Sequence, residues 1–324
     1  MTESAINSCW VITEGIAGTE NQCLGVAEAL GLTPTVKRVK LRTPWKQLSP
    51  WLNWGHQYAL AAGSDPIAAP WPDLVIASGR KSIGIARYIK RASGGKTFVV
   101  QVQDPHVNPK HFDLVIVPAH DPMRGENVIV TTGGLHRVTP QKLAAAGEQF
   151  KDAFSNLPPH RIAVLIGGTS RAHTMTAENA KTLADQLRQV LQQPDCGLLI
   201  TASRRTGIEN TKLLRETLDD PRIYFWDGTG ENPYFGFLAL ADTLIVTGDS
   251  VSMASEAVAT GKPVYIAPLK SGHKRHTAFH KLLRDQGYTR VFTGQLEKWS
   301  YTPPDDTMKV AAEIRNRLQK RRAA

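Results

Sequence analysis

Short apolar runs rich in β-branched residues alternate along the chain with helical stretches. In the first half the runs are WVIT (10–13), VKRV (36–39), LVIA (74–77), FVVQV (98–102), LVIV (114–117) and VIV (128–130). In the second half they are IAVLI (162–166), LLIT (198–201), IYFW (223–226), LIVT (244–247) and VYIA (264–267). Continuous apolar strands separated by helices predict parallel sheets covered on both faces. The pattern stops after Val130 and restarts at Ile162. Between them lies GEQFKDAFSNLPPH, polar and ending in Pro158-Pro159, which reads as a linker between two α/β domains. The expected bounds are 1–147 for the first domain, 148–160 for the linker, 161–303 for the second domain and 304–324 for a C-terminal helix.

The chain has 324 residues, enough for two separate cores. Its hydrophobic fraction of 41% and charged fraction of 21% are ordinary for a soluble globular protein. No run approaches ~20 apolar residues, so no membrane span is expected. The stretch MTESAINSCWVITEG lacks a basic region followed by an apolar run, so no secretory signal is expected. Cys9, Cys23 and Cys196 are scattered without metal or disulfide spacing, which suits a reducing cytoplasm. The formal charge of +10 favours anionic partners. No basic stripe with interleaved aromatics stands out, so nucleic acid is not expected among them. The terminal cluster RNRLQKRRAA is a solvated helix end or a membrane-surface contact.

Each half opens with a strand, a glycine-containing turn and a helix. In WVITEGIAGTENQCLGVAEALG, Gly15 and Gly18 bracket the turn, Thr19 or Asn21 can cap, and Gly31 ends the helix. In the second half Gly167 and Gly168 follow the strand directly, with Ser170 beyond them. Glycines let backbone approach a ligand, and a helix N-terminus offers free N–H groups to an anion. A tight turn that binds nothing explains either loop as well. Neither reads G-x-G-x-x-G, no acid stands at the end of VKRVKLR, and no G-K-[ST] follows, so a nicotinamide enzyme and a P-loop are not indicated.

TASRRTG places Ser203, Arg204 and Arg205 after a strand, where open α/β sheets bind ligands. Arginine suits phosphate, and a surface pair salt-bridged to Glu209 or Asp219 is the alternative. In GDSVSMASEAVATGKPVYI, Asp249, Ser250 and Ser252 supply capping oxygens and Gly261 with Pro263 stops the helix. A diphosphate fits on the N–H groups of Ser250, Val251 and Ser252. Glu256, one turn beyond Ser252, could then accept hydrogen bonds from a ribose diol, or merely complement the helix dipole.

His273, His276 and His280 are spaced for one helical face, but no acid or cysteine accompanies them and Lys274 and Arg275 intervene, so no metal is expected. TPWKQLSPWLNWGHQYAL (43–60) carries Trp45, Trp51, Trp54 and Tyr58 beside Lys46 and His56, a composition that suits a wet interface. Positions 51, 54 and 58 also follow helical spacing, and a buried helical stripe is the favoured expectation.

The second half resembles the donor-binding domain of GT-B glycosyltransferases, in particular the transferase that adds GlcNAc to lipid-linked muramyl peptide. The resemblance is carried by Ser250, Val251, Ser252, Glu256, Ala259, Gly261 and Pro263, by Gly167-Gly168 with Ser170, by GIAGTENQCLGVAEAL, and by the HKRH of 273–276. It implies a GT-B fold, in which two Rossmann-like domains turn parallel sheets toward a central cleft. It also implies an N-terminal acceptor-side domain, a C-terminal nucleotide-sugar domain and a terminal helix packing back on the first domain.

The resemblance further assigns the nucleotide and phosphate to Gly15, Gly18, Gly167, Gly168, Ser170, Ser203, Arg204, Arg205, Asp249, Ser250, Val251, Ser252 and Glu256. Sugar contact falls to His273, Lys274 and His276. That transferase has a histidine directly after its second glycine; here Thr19 and Glu20 stand there.

Over nearly the full length the chain is more similar to the family named after the plant elongated-mitochondria protein, which is linked to mitochondrial fission and has bacterial members. Shared motifs are G-x-x-G-x-E-N-Q-x-L-G-x-A-E-A-L (Gly15 to Leu30), S-G-R-K-S (Ser78 to Ser82), Q-D-P (Gln103 to Pro105), T-x-S-R-R-T (Thr201 to Thr206), N-P-Y (Asn232 to Tyr234) and D-S-V-S-M-x-S-E-A (Asp249 to Ala257).

The expected function is transfer of a sugar from a nucleotide-diphosphate donor, a UDP-sugar foremost, to a lipid-linked or cell-envelope acceptor, with no metal or other cofactor. Inverting transfer needs a base and stabilisation of the leaving diphosphate. Glu20 and Asp104 are the candidate bases. An epimerase of the same fold and a non-catalytic adaptor are the alternatives. The expected location is cytoplasmic, with a peripheral contact at the inner face of the membrane left open.

Overall fold

The computed structural model describes residues 6–323 apart from 53, 171–172 and 270–273. The chain forms two compact units. One comprises the residues up to Arg137 together with those from Asp305 onward; the other is Val138–Pro304.

The first unit contains β1 (Cys9–Thr13), α1 (Ala17–Ala29), β2 (Thr35–Arg38), α2 (Trp45–Leu48), β3 (Leu74–Ser78), α3 (Ser82–Ala92), β4 (Phe98–Val102), β5 (Leu114–Pro118) and β6 (Val128–Thr131). Its six strands lie in the order β2-β1-β3-β4-β5-β6, with every ladder parallel. β3 shows why the sequence reads as continuously apolar. Leu74 and Ile76 face a layer containing Cys23 and Val26 of α1, while Val75 and Ala77 face Ile85 and Ile89 of α3. Successive side chains point to opposite faces, and both faces are covered.

The second unit contains α4 (Pro140–Phe150), β7 (His160–Ile166), α5 (Ala177–Val190), β8 (Cys196–Ala202), α6 (Ile208–Thr217), β9 (Ile223–Phe225), α7 (Tyr234–Leu240), β10 (Thr243–Thr247), α8 (Val251–Val258), β11 (Val264–Ala267), α9 (Lys274–Asp285) and β12 (Thr289–Val291). Its order is β12-β11-β10-β7-β8-β9, again parallel throughout. The connection reverses direction between β1 and β3 in the first unit and between β7 and β10 in the second. Ligands of open α/β sheets bind at such reversals, beyond the carboxyl ends of the strands. α10 (Asp306–Ala323) returns to the first unit, where Val310, Ala311, Ile314 and Leu318 join the layer over α1. Arg315 Nη2 donates to Ala29 O at 2.8 Å, and Asp306 Oδ2 accepts from Thr132 N at 2.7 Å.

The chain passes between units at Arg137–Val138, ahead of the polar 148–160 segment. Helix α4 and the following 3-10 turn pack inside the second unit. The Phe150 and Phe154 rings stack at 6.1 Å, and Phe154, fully buried, meets Phe237 at 5.4 Å. Two phenylalanines within a polar stretch anchor what reads as a linker. β12 is a further departure: a three-residue edge strand, TRV, is too short and mixed to carry a period-2 signal.

The aromatic segment is also not the buried stripe its spacing suggested. Helix α2 ends at Leu48, and Pro50 and Gly55, the latter left-handed at φ 68°, break any continuation. Trp51 and Trp54 are 65% and 72% exposed, and Tyr58 is exposed as well. Trp45 is the ring that packs, donating Nε1–H to Trp54 O at 2.9 Å.

Candidate functional site

In the second unit three turns meet at the carboxyl ends of β7, β8 and β10. Asp249 ties them together. Its side chain is wholly buried, accepts from Gly168 N at 2.8 Å and Thr247 Oγ1 at 2.7 Å, and pairs with Arg205 Nη1 at 2.9 Å. Gly167 N donates to Thr247 Oγ1 at 2.7 Å, Thr169 N to Arg205 O at 2.8 Å, and the Thr206 hydroxyl to Gly167 O. The two glycines are there for close packing. A Cβ on Gly167 would stand 2.2 Å from the Asp249 carboxylate oxygens, and one on Gly168 would stand 2.1 Å from the Arg205 backbone. Asp249 is thus the clamp of the site, and its negative charge makes it a poor direct contact for phosphate.

The surfaces this clamp presents differ from one another. Ser250 caps α8, its hydroxyl accepting from Met253 N at 3.3 Å. The amides of Val251 and Ser252, ahead of the first intrahelical bond, have no acceptor among the described residues. Helix N-termini with open amides attract anions. Ser203 makes a turn of its own, accepting from Arg205 N at 3.2 Å. Arg204 is exposed and lines a cavity of about 630 Å³ with Ser203, Gly207, Ile208 and Thr211. The Ser170 hydroxyl accepts from His173 N at 3.2 Å, closing the loop after β7 on itself.

Glu256 is only 6% exposed and accepts a 2.5 Å hydrogen bond from Tyr234 Oη. Burial, together with the adjacent carboxylate, holds the Tyr234 hydroxyl protonated well above its ordinary range. N-P-Y is visible in the sequence as a motif, but nothing in its spacing ties Tyr234 to Glu256. The pairing is a tertiary contact between α7 and α8.

Among the sugar-contact candidates, His273 lies outside the described residues. Lys274 opens α9 and is exposed. The His276 ring stacks on His173 at 4.8 Å, and His280 donates Nε2–H to Gly248 O at 2.7 Å. Burial lowers the pKa of His280. His280 is one of the three histidines the sequence pattern picks out, whereas His173, which the stacking brings to the site, is not. Among the described residues no group of acids, cysteines and histidines could hold a metal ion.

In the first unit Gly15 sits at φ 78° after β1, and Gly18 lies within the first turn of α1 rather than closing the loop. Neither Thr19 nor Asn21 caps the helix, which begins after Ile16. Glu20 accepts from Arg38 Nη2 at 2.7 Å, Arg38 Nε at 3.0 Å and Thr13 Oγ1 at 2.9 Å. The Arg38 guanidinium holds its carboxyl below the usual carboxylate range against the opposing effect of burial, which makes it a weaker base. Asp104 follows β4 in a turn where Gln103 and His106 adopt left-handed φ values of 72° and 54°, uncommon for residues with a side chain. Its carboxylate accepts from His106 N at 2.7 Å.

Two six-stranded parallel sheets, each flanked by helices, give the chain an α/β architecture of the GT-B fold. The family model described as Mitochondrial fission ELM1 matches residues 17–318, and the chain belongs to that family. The mitochondrial fission protein ELM1 of Arabidopsis thaliana is 32% identical over 399 aligned residues, covering 99% of this chain and 93% of the relative. The uncharacterized protein RP120 of Rickettsia prowazekii (strain Madrid E) is 27% identical over 357 residues, covering 96% and 98%. Among solved structures, the UDP-GlcNAc 2-epimerase of Neisseria meningitidis bound to UDP-GlcNAc superposes with a TM-score of 0.51 at 13% identity, over 95% of this chain and 99% of that one. At that identity the likeness concerns the fold. Among the described residues no helix is long and apolar enough to cross a membrane.

Proposed function

We propose that the second unit binds a nucleoside-diphosphate sugar, a UDP-sugar foremost, and that the protein transfers the sugar to a lipid-linked or cell-envelope acceptor. The observation that carries this reading is the open N-terminus of α8, one helical turn ahead of the buried Glu256 and locked to the Arg204–Arg205 turn through Asp249. The amides of Val251 and Ser252 suit the diphosphate, with Arg204 as an added cation. Glu256, oriented by Tyr234, suits the ribose hydroxyls. Departure of the diphosphate would be assisted by these fixed dipoles and charges without a metal. Of the two candidate bases, Asp104 is favoured over Glu20, whose carboxylate is committed to Arg38.

A thermal-shift screen against UDP, GDP, ADP, CMP and their sugars tests the reading, because a ligand that binds only the folded state raises the melting temperature. A shift with one nucleotide, lost in Glu256→Ala, supports the donor site. No shift with any of them at millimolar concentration sinks it and favours the non-catalytic adaptor.

The stacked His173–His276 pair beside His280 favours a second reading, an epimerase of the same fold, since imidazoles near the sugar can move protons at neutral pH. NMR of the bound sugar nucleotide, incubated without acceptor, separates the two: inversion at a ring carbon supports the epimerase, an unchanged sugar the transferase.

A further inference from the structure

A second cluster of charge lies in the first unit, at the opposite end of α3 from the β3 carboxyl edge. Arg87, Lys90, Arg91 and Gly94 recur at helical spacing along α3 and just past it, and with Gly95 and His111 they line a cavity of about 510 Å³. Arg87 is 5% exposed, yet it has no hydrogen-bond or ion-pair partner among the described residues. Its nitrogens are not sealed from the cavity, but a guanidinium so largely withdrawn from water is ordinarily paired, because its charge loses much of its hydration.

The neighbours make this worse. Burial and Arg91 push the Arg87 pKa down, and burial followed by Arg87, Arg91 and Lys90 pushes that of His111 down. The nearby carboxylate, Asp113, is shared between Lys90 Nζ at 2.9 Å and Arg321 Nη1 at 3.5 Å. Arg321 also donates to Gly95 O, which brings the basic end of α10 to the rim. Cations at a helix C-terminus do complement its dipole, but only by about half a charge. The cluster retains an excess of positive charge turned into a cavity.

We propose that this cavity is a binding site for a phosphate monoester group, held by Arg87, Lys90, Arg91 and His111. A phosphate monoester carries a charge of about −1.5 to −2 and three acceptor oxygens, which matches both the charge excess and the guanidinium geometry. An adjoining hollow lined by Trp54, Gly55, Gln57, Tyr88 and Ala92 shares Arg91 with the cavity and offers aromatic surface to the organic part of such an ester. The site belongs to the first unit and does not depend on the nucleotide reading.

The test is a thermal-shift titration of the full chain with inorganic phosphate against chloride at matched ionic strength. The variants are Arg87→Met, Arg91→Gln and, as a control in the second unit, Arg204→Gln. The wild type is expected to gain about 3 °C or more at about ten times the dissociation constant. The larger part of the gain is expected to be lost in Arg87→Met and Arg91→Gln and kept in Arg204→Gln, which removes only phosphate held at the α8 turn. Should Arg87→Met fail to fold, the exposed Arg91→Gln decides alone.

No gain beyond chloride, or a gain lost in Arg204→Gln and kept in Arg91→Gln, overturns the proposal. A flotation assay with phosphatidylcholine vesicles, with and without phosphatidic acid, then identifies the source. Capture that requires phosphatidic acid, and is lost in Arg91→Gln, assigns the site to a lipid headgroup. A phosphate gain without such capture assigns it to a soluble ester.

Discussion

Tyr234 Oη and Glu256 Oε2 are 2.5 Å apart across α7 and α8, with Glu256 almost wholly buried. The tyrosine donates to a carboxylate that is largely withdrawn from water. Tyr234→Phe removes this donor from the buried carboxylate and is expected to cost about 1 kcal/mol of stability. Urea unfolding of the variant measures it. Glu256→Ala is expected to lower nucleotide affinity by about 1–3 kcal/mol, read by calorimetry on the ligand found in the screen. Unchanged affinity in a folded Glu256→Ala variant removes this residue from the site.

The Gly167-Gly168 pair is expected to tolerate no side chain. Alanine at either position drives a Cβ to about 2 Å from the Asp249 carboxylate or the Arg205 backbone, and backbone cannot yield as a flexible side chain can. Each substitution should destabilise the second unit by about 1–3 kcal/mol or more, as overpacking does. Asp249→Ala should cost about 1–3 kcal/mol, chiefly by leaving the buried Gly168 amide and Thr247 hydroxyl without their acceptor, since the Arg205 side chain, 42% exposed, remains hydrated. Chemical denaturation checks all three, and a Gly167→Ala variant as stable as the wild type would contradict the clamp.

Strand positions and the α/β class were legible because sheets covered on both faces leave uninterrupted apolar runs; FVVQV and VYIA coincide with β4 and β11 residue for residue. The turns after β7, β8 and β10 were legible as loops with glycine, arginine and small polar residues. What they do was not. Whether Asp249 faces a ligand or clamps Gly168 depends on a contact across the sheet, to which local spacing is blind. Tyr234 was hidden for the same reason, and so was the burial of Phe154. The exposure of Trp51 and Trp54 was misread because helical spacing counts only if the helix exists, and Pro50 and Gly55 forbid it.

Helix α10 is a structural part of the first unit. Ile314 is fully buried in the layer over α1, with Val310, Ala311 and Leu318 beside it. Ile314→Ala is expected to cost about 2–5 kcal/mol. Limited proteolysis should then find new cleavage in the first unit while Val138–Pro304 stays protected. Simultaneous loss of protection in both would show that the units do not unfold separately.

His56 makes the first unit sensitive to acid. It is 3% exposed and packs on Gly84, where a Cβ would stand 2.1 Å from Nε2. Burial, then the positive charges of Arg91 and Arg87, lowers its pKa to about 4 from an ordinary 6.5. The unfolded chain therefore takes up a proton at this imidazole before the folded chain does. Stability contributed by the neutral ring is fully present above pH 6.5, declines as the pH falls toward 4, and levels off below it. The loss is expected to reach about 3 kcal/mol. In His56→Leu this part of the slope should disappear, although the variant shifts stability at every pH through packing. Urea midpoints measured across that window compare the slopes; an identical slope in the two proteins would mean that another group sets the acid response.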